Sequence, residues 1–87
     1  MTAPTTQAPA LLRLNAADNI LVSTRVVEKG EEGASARIMR GHKMAAEAIS
    51  KGTPIHKFGQ IIGFAKNDIA AGDWVHEHNV EMGAQIG

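Results

Sequence analysis

The chain has 87 residues (9.2 kDa), nine basic against nine acidic side chains and no cysteine, which limits it to one small domain and excludes disulfides, thiolate ligands and cysteine nucleophiles. At 44% hydrophobic and 21% charged it reads as folded, with no apolar run near the roughly 18 residues of a membrane span and no basic-then-apolar start; a cytoplasmic protein without a membrane partner is expected. Phe58, Phe64 and Trp74 are its only aromatics, too few stacking platforms for a nucleic-acid partner.

Residues 1–10 are Thr, Ala, Gln and Pro without periodicity and read as a flexible leader before a body over 11–80. Leu11–Leu14 begins a first strand. Asn15–Asn19 follows as a turn, because short amide and carboxylate side chains bond the local backbone. Ile20–Val27 is β-branched and bounded by turn signals, hence a strand, closed by the glycine-containing loop 28–33. Residues 34–40 alternate weakly. Lys43–Ser50 has helical composition, with Met44, Ala45, Ala48 and Ile49 on one face and Gly52 as its stop, so a single short helix is expected over Met44–Ile49. Pro54–Phe58 and Ile61–Ala65 read as a hairpin about Gly59-Gln60. Asp73–Val80 reads as extended, and 81–87 as a tail or the start of a linker.

An internal rhyme joins these elements. Ile49-Ser50-Lys51-Gly52-Thr53-Pro54-Ile55 and Ile69-Ala70-Ala71-Gly72-Asp73-Trp74-Val75 each read as apolar, two residues, glycine, two residues, apolar, and Val27-Glu28-Lys29-Gly30 is a truncated third copy. Each predicts a glycine-closed turn that delivers the chain into a strand, and together they imply a mainly β body. Trp74 is expected to pack against Ile55, Ile61 or Ile69.

Charge is uneven along the chain: −1 over residues 1–36, +5 over 37–66 and −4 over 67–87. Arg37, Arg40, His42 and Lys43 cluster around Gly41, where a carboxylate, sulfonate or phosphate is the natural guest, unless this is only a solvated basic loop. His76 and His78 flank Glu77; on an extended segment both imidazoles leave one face. They are candidates for metal ligation, acid–base chemistry or anion binding, or are simply surface residues. A third metal ligand would have to come from His42, His56 or a carboxylate. Rossmann and P-loop signatures are absent.

Taken in order, Arg40-Gly41-His42-Lys43, Gly52, Lys57-Phe58-Gly59-Gln60-Ile61-Ile62-Gly63 and Asp68-Ile69-Ala70-Ala71-Gly72-Asp73-Trp74-Val75-His76-Glu77-His78-Asn79 carry a resemblance. From about Leu11 to Val80 the chain resembles the small N-terminal domain of the altronate and galactarate dehydratases. That domain also occurs as the small subunit of relatives such as sulfolactate sulfo-lyase. The resemblance implies a SAF-type β-clip fold, to which the residues add the one short helix. It implies a lyase that eliminates water or sulfite from a sugar acid or small hydroxy acid, with a large catalytic subunit or domain as partner. A divalent metal, iron by first expectation, would be held mainly by that partner, and the isolated chain would be inactive. On this reading His76 and His78 stand at the rim of a shared active site, with His42 a further acid or base. Lys43, Arg40 and Asn79 are then substrate contacts. The competing class is a carbohydrate- or anion-binding or structural module that stabilises a larger partner without donating a reacting group.

Overall fold

The computed structural model describes residues 9–82; most of the expected leader and of the tail lies outside the described residues. Seven short strands make two antiparallel sheets. β1 (Leu11–Leu12), β2 (Ile20–Ser23), β3 (Lys43–Ala45) and β6 (Trp74–Val75) form one, in the order β1-β2-β3-β6. β4 (Pro54–Lys57), β5 (Gln60–Ala65) and β7 (Val80–Glu81) form the other, in the order β4-β5-β7. The mainly β expectation holds. At the N-terminal edge Thr24 donates its amide to Ala10 and its hydroxyl to Pro9, which ties both residues down.

The short helix over Met44–Ile49 does not form. Met44 and Ala45 lie in β3, paired on one side with Leu21 and Ile20 and, for Met44, on the other with Trp74. Ile49 bridges Ile69, and the loop over 28–33 contains a single 3₁₀ turn at Glu31–Gly33. A helix of some two turns is marginal in isolation. Here two flanking strands supply β3 with backbone partners that a helix would forfeit, and alternation sends Met44 and Ala45 into different cores.

Those two cores lie on opposite faces of the four-stranded sheet. Ile20, Ala45 and Val75 point into a cluster with Ile49, Ile55, Ala65 and Ile69. Leu21, Met44 and Trp74 point into a smaller one with Ala10, Val27, Ala34 and Ile38. Trp74 therefore packs away from Ile55 and Ile69, contrary to expectation, because period two puts it with Met44 rather than with Val75.

The internal rhyme is real and has a fourth copy. Val27, Ile38, Ile49 and Ile69 are each buried, and they bridge pairwise, Val27 to Ile38 and Ile49 to Ile69. Three residues after each comes a glycine with φ between 82° and 93°, at Gly30, Gly41, Gly52 and Gly72. The next residue donates its amide back across the turn: Glu31 to Glu28, His42 to Met39, Thr53 to Ser50 and Asp73 to Ala70, at 2.9–3.0 Å. A left-handed third residue closed by that bond is the geometry of a type II turn. Three of the four turns feed strands: Gly41 leads to β3, Gly52 to β4 and Gly72 to β6.

The hairpin turn lies one residue earlier than expected, at Phe58-Gly59, with Lys57 opposite Gln60. Both turn residues are left-handed, Phe58 at φ 58° and Gly59 at φ 74°, as a two-residue I′ turn requires. Phe58 is an unfavourable choice there, and it is 63% exposed, so little burial compensates. Phe58→Asn should raise stability by about 0.5–1 kcal/mol, since Asn tolerates this conformation while a β-carbon next to the carbonyl normally costs roughly 1–2 kcal/mol. Thermal melting checks this: an unchanged or lowered midpoint would show that the phenyl ring contributes more packing than its exposure implies.

Candidate functional site

The register that pairs Met44 with Trp74 and Lys43 with Val75, carried one position past the ends of β3 and β6, places His42 and His76 opposite each other on the Met44–Trp74 face. Their rings stack with centroids 5.2 Å apart. Trp74 joins them. Its indole lies 4.9 Å from the His76 ring at an interplanar angle of 11°, and 5.8 Å from that of His42. The indole Nε1–H donates to His42 Nδ1 at 3.1 Å.

His78 reaches the same indole, at 5.1 Å, but by a different route from the one expected. Residues 76–79 are a turn rather than a continuing strand. Asn79 closes it: its Oδ1 accepts the His76 amide at 2.9 Å, its Nδ2 donates to the Trp74 carbonyl at 2.9 Å, and its own amide donates to the His76 carbonyl. The turn brings both imidazoles to Trp74, where strand alternation would have placed them in a line. Asn79 is buried, and its amide group is committed to this turn.

Beside the cluster lies a cleft of about 510 Å³ lined by Lys43, Ile62, His76, Glu77, Val80 and Met82. Ile62 is the extra residue of a β-bulge, since Ile55 pairs with Gly63 while His56 pairs with Ile61. Lys43, half-buried in β3, has its ammonium pushed below the usual lysine range by burial and by the charge of Lys57. Among the described residues the ion pairs are Arg25–Glu31 and Arg37–Glu28, so neither lysine has a carboxylate partner. The cleft lining thus sets one ammonium, Lys43, and the His76 imidazole beside one carboxylate, Glu77, with the charge of Lys57 adding to that of Lys43, so an anion would be taken at the Lys43 end.

The basic cluster around Gly41 is divided by the fold. Arg37 turns to Glu28, Arg40 is exposed on the turn, and only His42 and Lys43 enter the site region. His56 stands on β4, close enough for its charge to act on Asp18. Trp74 and Lys57 are the residues that sequence reasoning missed. The spacing of Trp74, His76 and His78 at every second position was a usable signal for the first. For Lys57 nothing local marks it, because its neighbour Lys43 comes from another sheet.

Among the described residues no three His, Asp or Glu side chains are grouped to hold a metal ion. The geometry agrees: His42 spends Nδ1 on the indole, and stacked rings direct their nitrogen lone pairs along neighbouring planes rather than at one point. The donors of the described residues thus do not fit a resident three-ligand metal. No helix among the described residues is long and apolar enough to cross a membrane.

Fold and site together define a small two-sheet β domain that presents an indole-centred histidine cluster beside a cleft holding Lys43 and Glu77. The chain belongs to the family described as the altronate/galactarate dehydratase SAF domain, whose family model matches residues 9–83. It is 35% identical over 80 residues to an altronate dehydratase of Bacillus subtilis (strain 168), covering 83% of this chain and 16% of the relative. It is 37% identical over 76 residues to an altronate dehydratase of Escherichia coli (strain K12), covering 78% of this chain and 15% of the relative. The chain thus corresponds to a small part of each of these much longer proteins.

Proposed function

We propose that the chain is the small subunit or N-terminal domain of a hydro-lyase or sulfo-lyase, and that it forms the substrate-facing rim of a site completed by a large catalytic partner. The observation that supports this most is the convergence of His42, His76 and His78 on Trp74 beside the Lys43 cleft, within a domain whose relatives are altronate dehydratases. The reaction is a β-elimination from a sugar acid or small hydroxy acid. A base takes the proton next to the substrate carboxylate, the electron pair forms the new carbon–carbon double bond, and hydroxide or sulfite leaves from the neighbouring carbon with help from an acid.

Within this chain Lys43 binds the substrate carboxylate, with Arg40 available from the adjoining turn. His76 and His78 are the proton-transfer candidates, and Asn79 holds the turn that carries them. A divalent metal, iron by first expectation, belongs to the partner on this reading. The isolated chain is then inactive, because an open cleft on one small domain lacks the preorganised enclosure that elimination needs.

The second reading is a module that binds an acidic sugar or steadies its partner without donating a reacting group, and the committed amide of Asn79 favours it. One experiment separates the two. The chain is co-expressed with the large dehydratase subunit and turnover of altronate, galactarate and sulfolactate is measured. His76→Ala or His78→Ala should lower kcat by about 10²–10⁴-fold if either moves a proton, with His56→Ala near wild type. Folded variants that still bind the partner and keep wild-type turnover establish the module instead.

A further inference from the structure

We infer that Trp74 is a positioning residue that holds His42 as a hydrogen-bond donor, so that His42 serves the substrate through Nε2–H and not as the base. An indole N–H can only donate, so at 3.1 Å from Trp74 Nε1 the Nδ1 of His42 is the acceptor and the ring proton resides on Nε2. Stacking against His76 on the same face then limits rotation of the ring. Nε2 has no hydrogen-bond partner among the described residues, and no buried side-chain nitrogen or oxygen there lacks one, so Nε2–H is open to water or a ligand.

The consequence is a division of labour among the histidines. The lone pair that would let His42 take up a proton is occupied by the indole. What remains is a fixed donor, suited to an anionic oxygen: a carboxylate, or the oxygen that gains charge during elimination. Among the described residues His76 and His78 make no such bond from their rings, and they keep the base role. Trp74 is anchored for this task by its packing against the smaller core.

The assignment of roles rests on the lyase reading above, but the positioning itself does not, and the test separates them. In the ¹⁵N-labelled 87-residue chain, a scalar coupling across the hydrogen bond should connect Trp74 Nε1 with His42 Nδ1, and it should vanish in Trp74→Phe, which keeps an aromatic ring and removes the donor. A wild-type spectrum with the proton on His42 Nδ1, or with a freely exchanging indole N–H and no coupling, overturns the proposal without any variant having to fold. In the enzyme assembled with its large subunit, His42→Gln can still accept from the indole and donate outward. It should keep turnover within about tenfold of wild type, while His42→Leu loses about 10²-fold or more. Equal losses in Gln and Leu variants would overturn the donor role while leaving the Trp74 bond intact.

Discussion

Gly72→Ala is expected to be the most damaging single-methyl change in the molecule, far worse than the same substitution at Gly30, Gly41 or Gly52. All four glycines share the left-handed conformation, which costs an alanine roughly 1–2 kcal/mol. At three of them a β-carbon would meet open space. At Gly72 it would lie 2.2 Å from the Gly33 carbonyl oxygen and 3.3 Å from its carbon, both backbone atoms. Neither segment can step aside cheaply. The Gly72 amide donates to Ala45, its carbonyl accepts the Ser35 amide at 2.9 Å, and these bonds join the Gly33 loop to β3. Overpacking against a fixed neighbour adds about 1–3 kcal/mol to the conformational cost. The sum, about 2–5 kcal/mol, approaches the whole stability of a small domain, at the low end of roughly 5–15 kcal/mol. Urea titration of the four variants checks it, and a Gly72→Ala midpoint no lower than that of Gly52→Ala would refute the argument.

Asp18 should be the most sensitive polar side chain. It is buried, and its two oxygens accept the amides of Phe58 and Gly59 at 2.9 and 2.8 Å, closing the hairpin turn from 40 residues away. Burial by itself would raise the carboxyl's pKa. The Gly59 and Phe58 amides, with the nearby charge of His56, outweigh it and hold the group below its ordinary value of 3.8. A carboxylate depressed on folding contributes stability that is complete above the ordinary value and is lost as pH falls through the lower folded one. The wild type should therefore weaken on acidification below 3.8, and Asp18→Asn should show a flatter profile from a lower plateau. Asparagine does not rescue, because its amide group turns a donor toward a backbone N–H and leaves that amide without an acceptor. Unfolding midpoints across the acid range test both parts: parallel profiles for the two proteins would show that Asp18 titrates outside the folding equilibrium.

Asp18 also marks the boundary of what a linear reading can reach. Its segment, Asn15–Asn19, reads as a turn held by local side-chain bonds, and Asn15 does this by accepting the Ala17 amide. Asp18 and Asn19 are identical in local signal but bond β4 and its turn instead, Asn19 through the Pro54 carbonyl and the His56 amide. Nothing within five residues distinguishes the two uses.

What the sequence by itself determined are the features whose cause lies within a few residues. An apolar residue, two others and a glycine make a type II turn through one bond spanning three residues, and β-branched runs favour the extended chain between such turns. The motif blocks from Arg40 to Asn79 likewise identified the family. Tertiary structure decided the rest. Met44 and Ala45 have the composition of a helix and became a strand because β2 and β6 offer backbone partners on both sides. His42 and His76 became neighbours through the β3–β6 register, and Lys43 feels Lys57 because two sheets meet. The Ile38–Gly41 turn carries the same local signal as the other three, but its pairing with the Val27–Gly30 turn is set by the bridge between Val27 and Ile38. Each of these depends on partners far apart along the chain, whose pairing is set by the packing of the two cores rather than by any local preference.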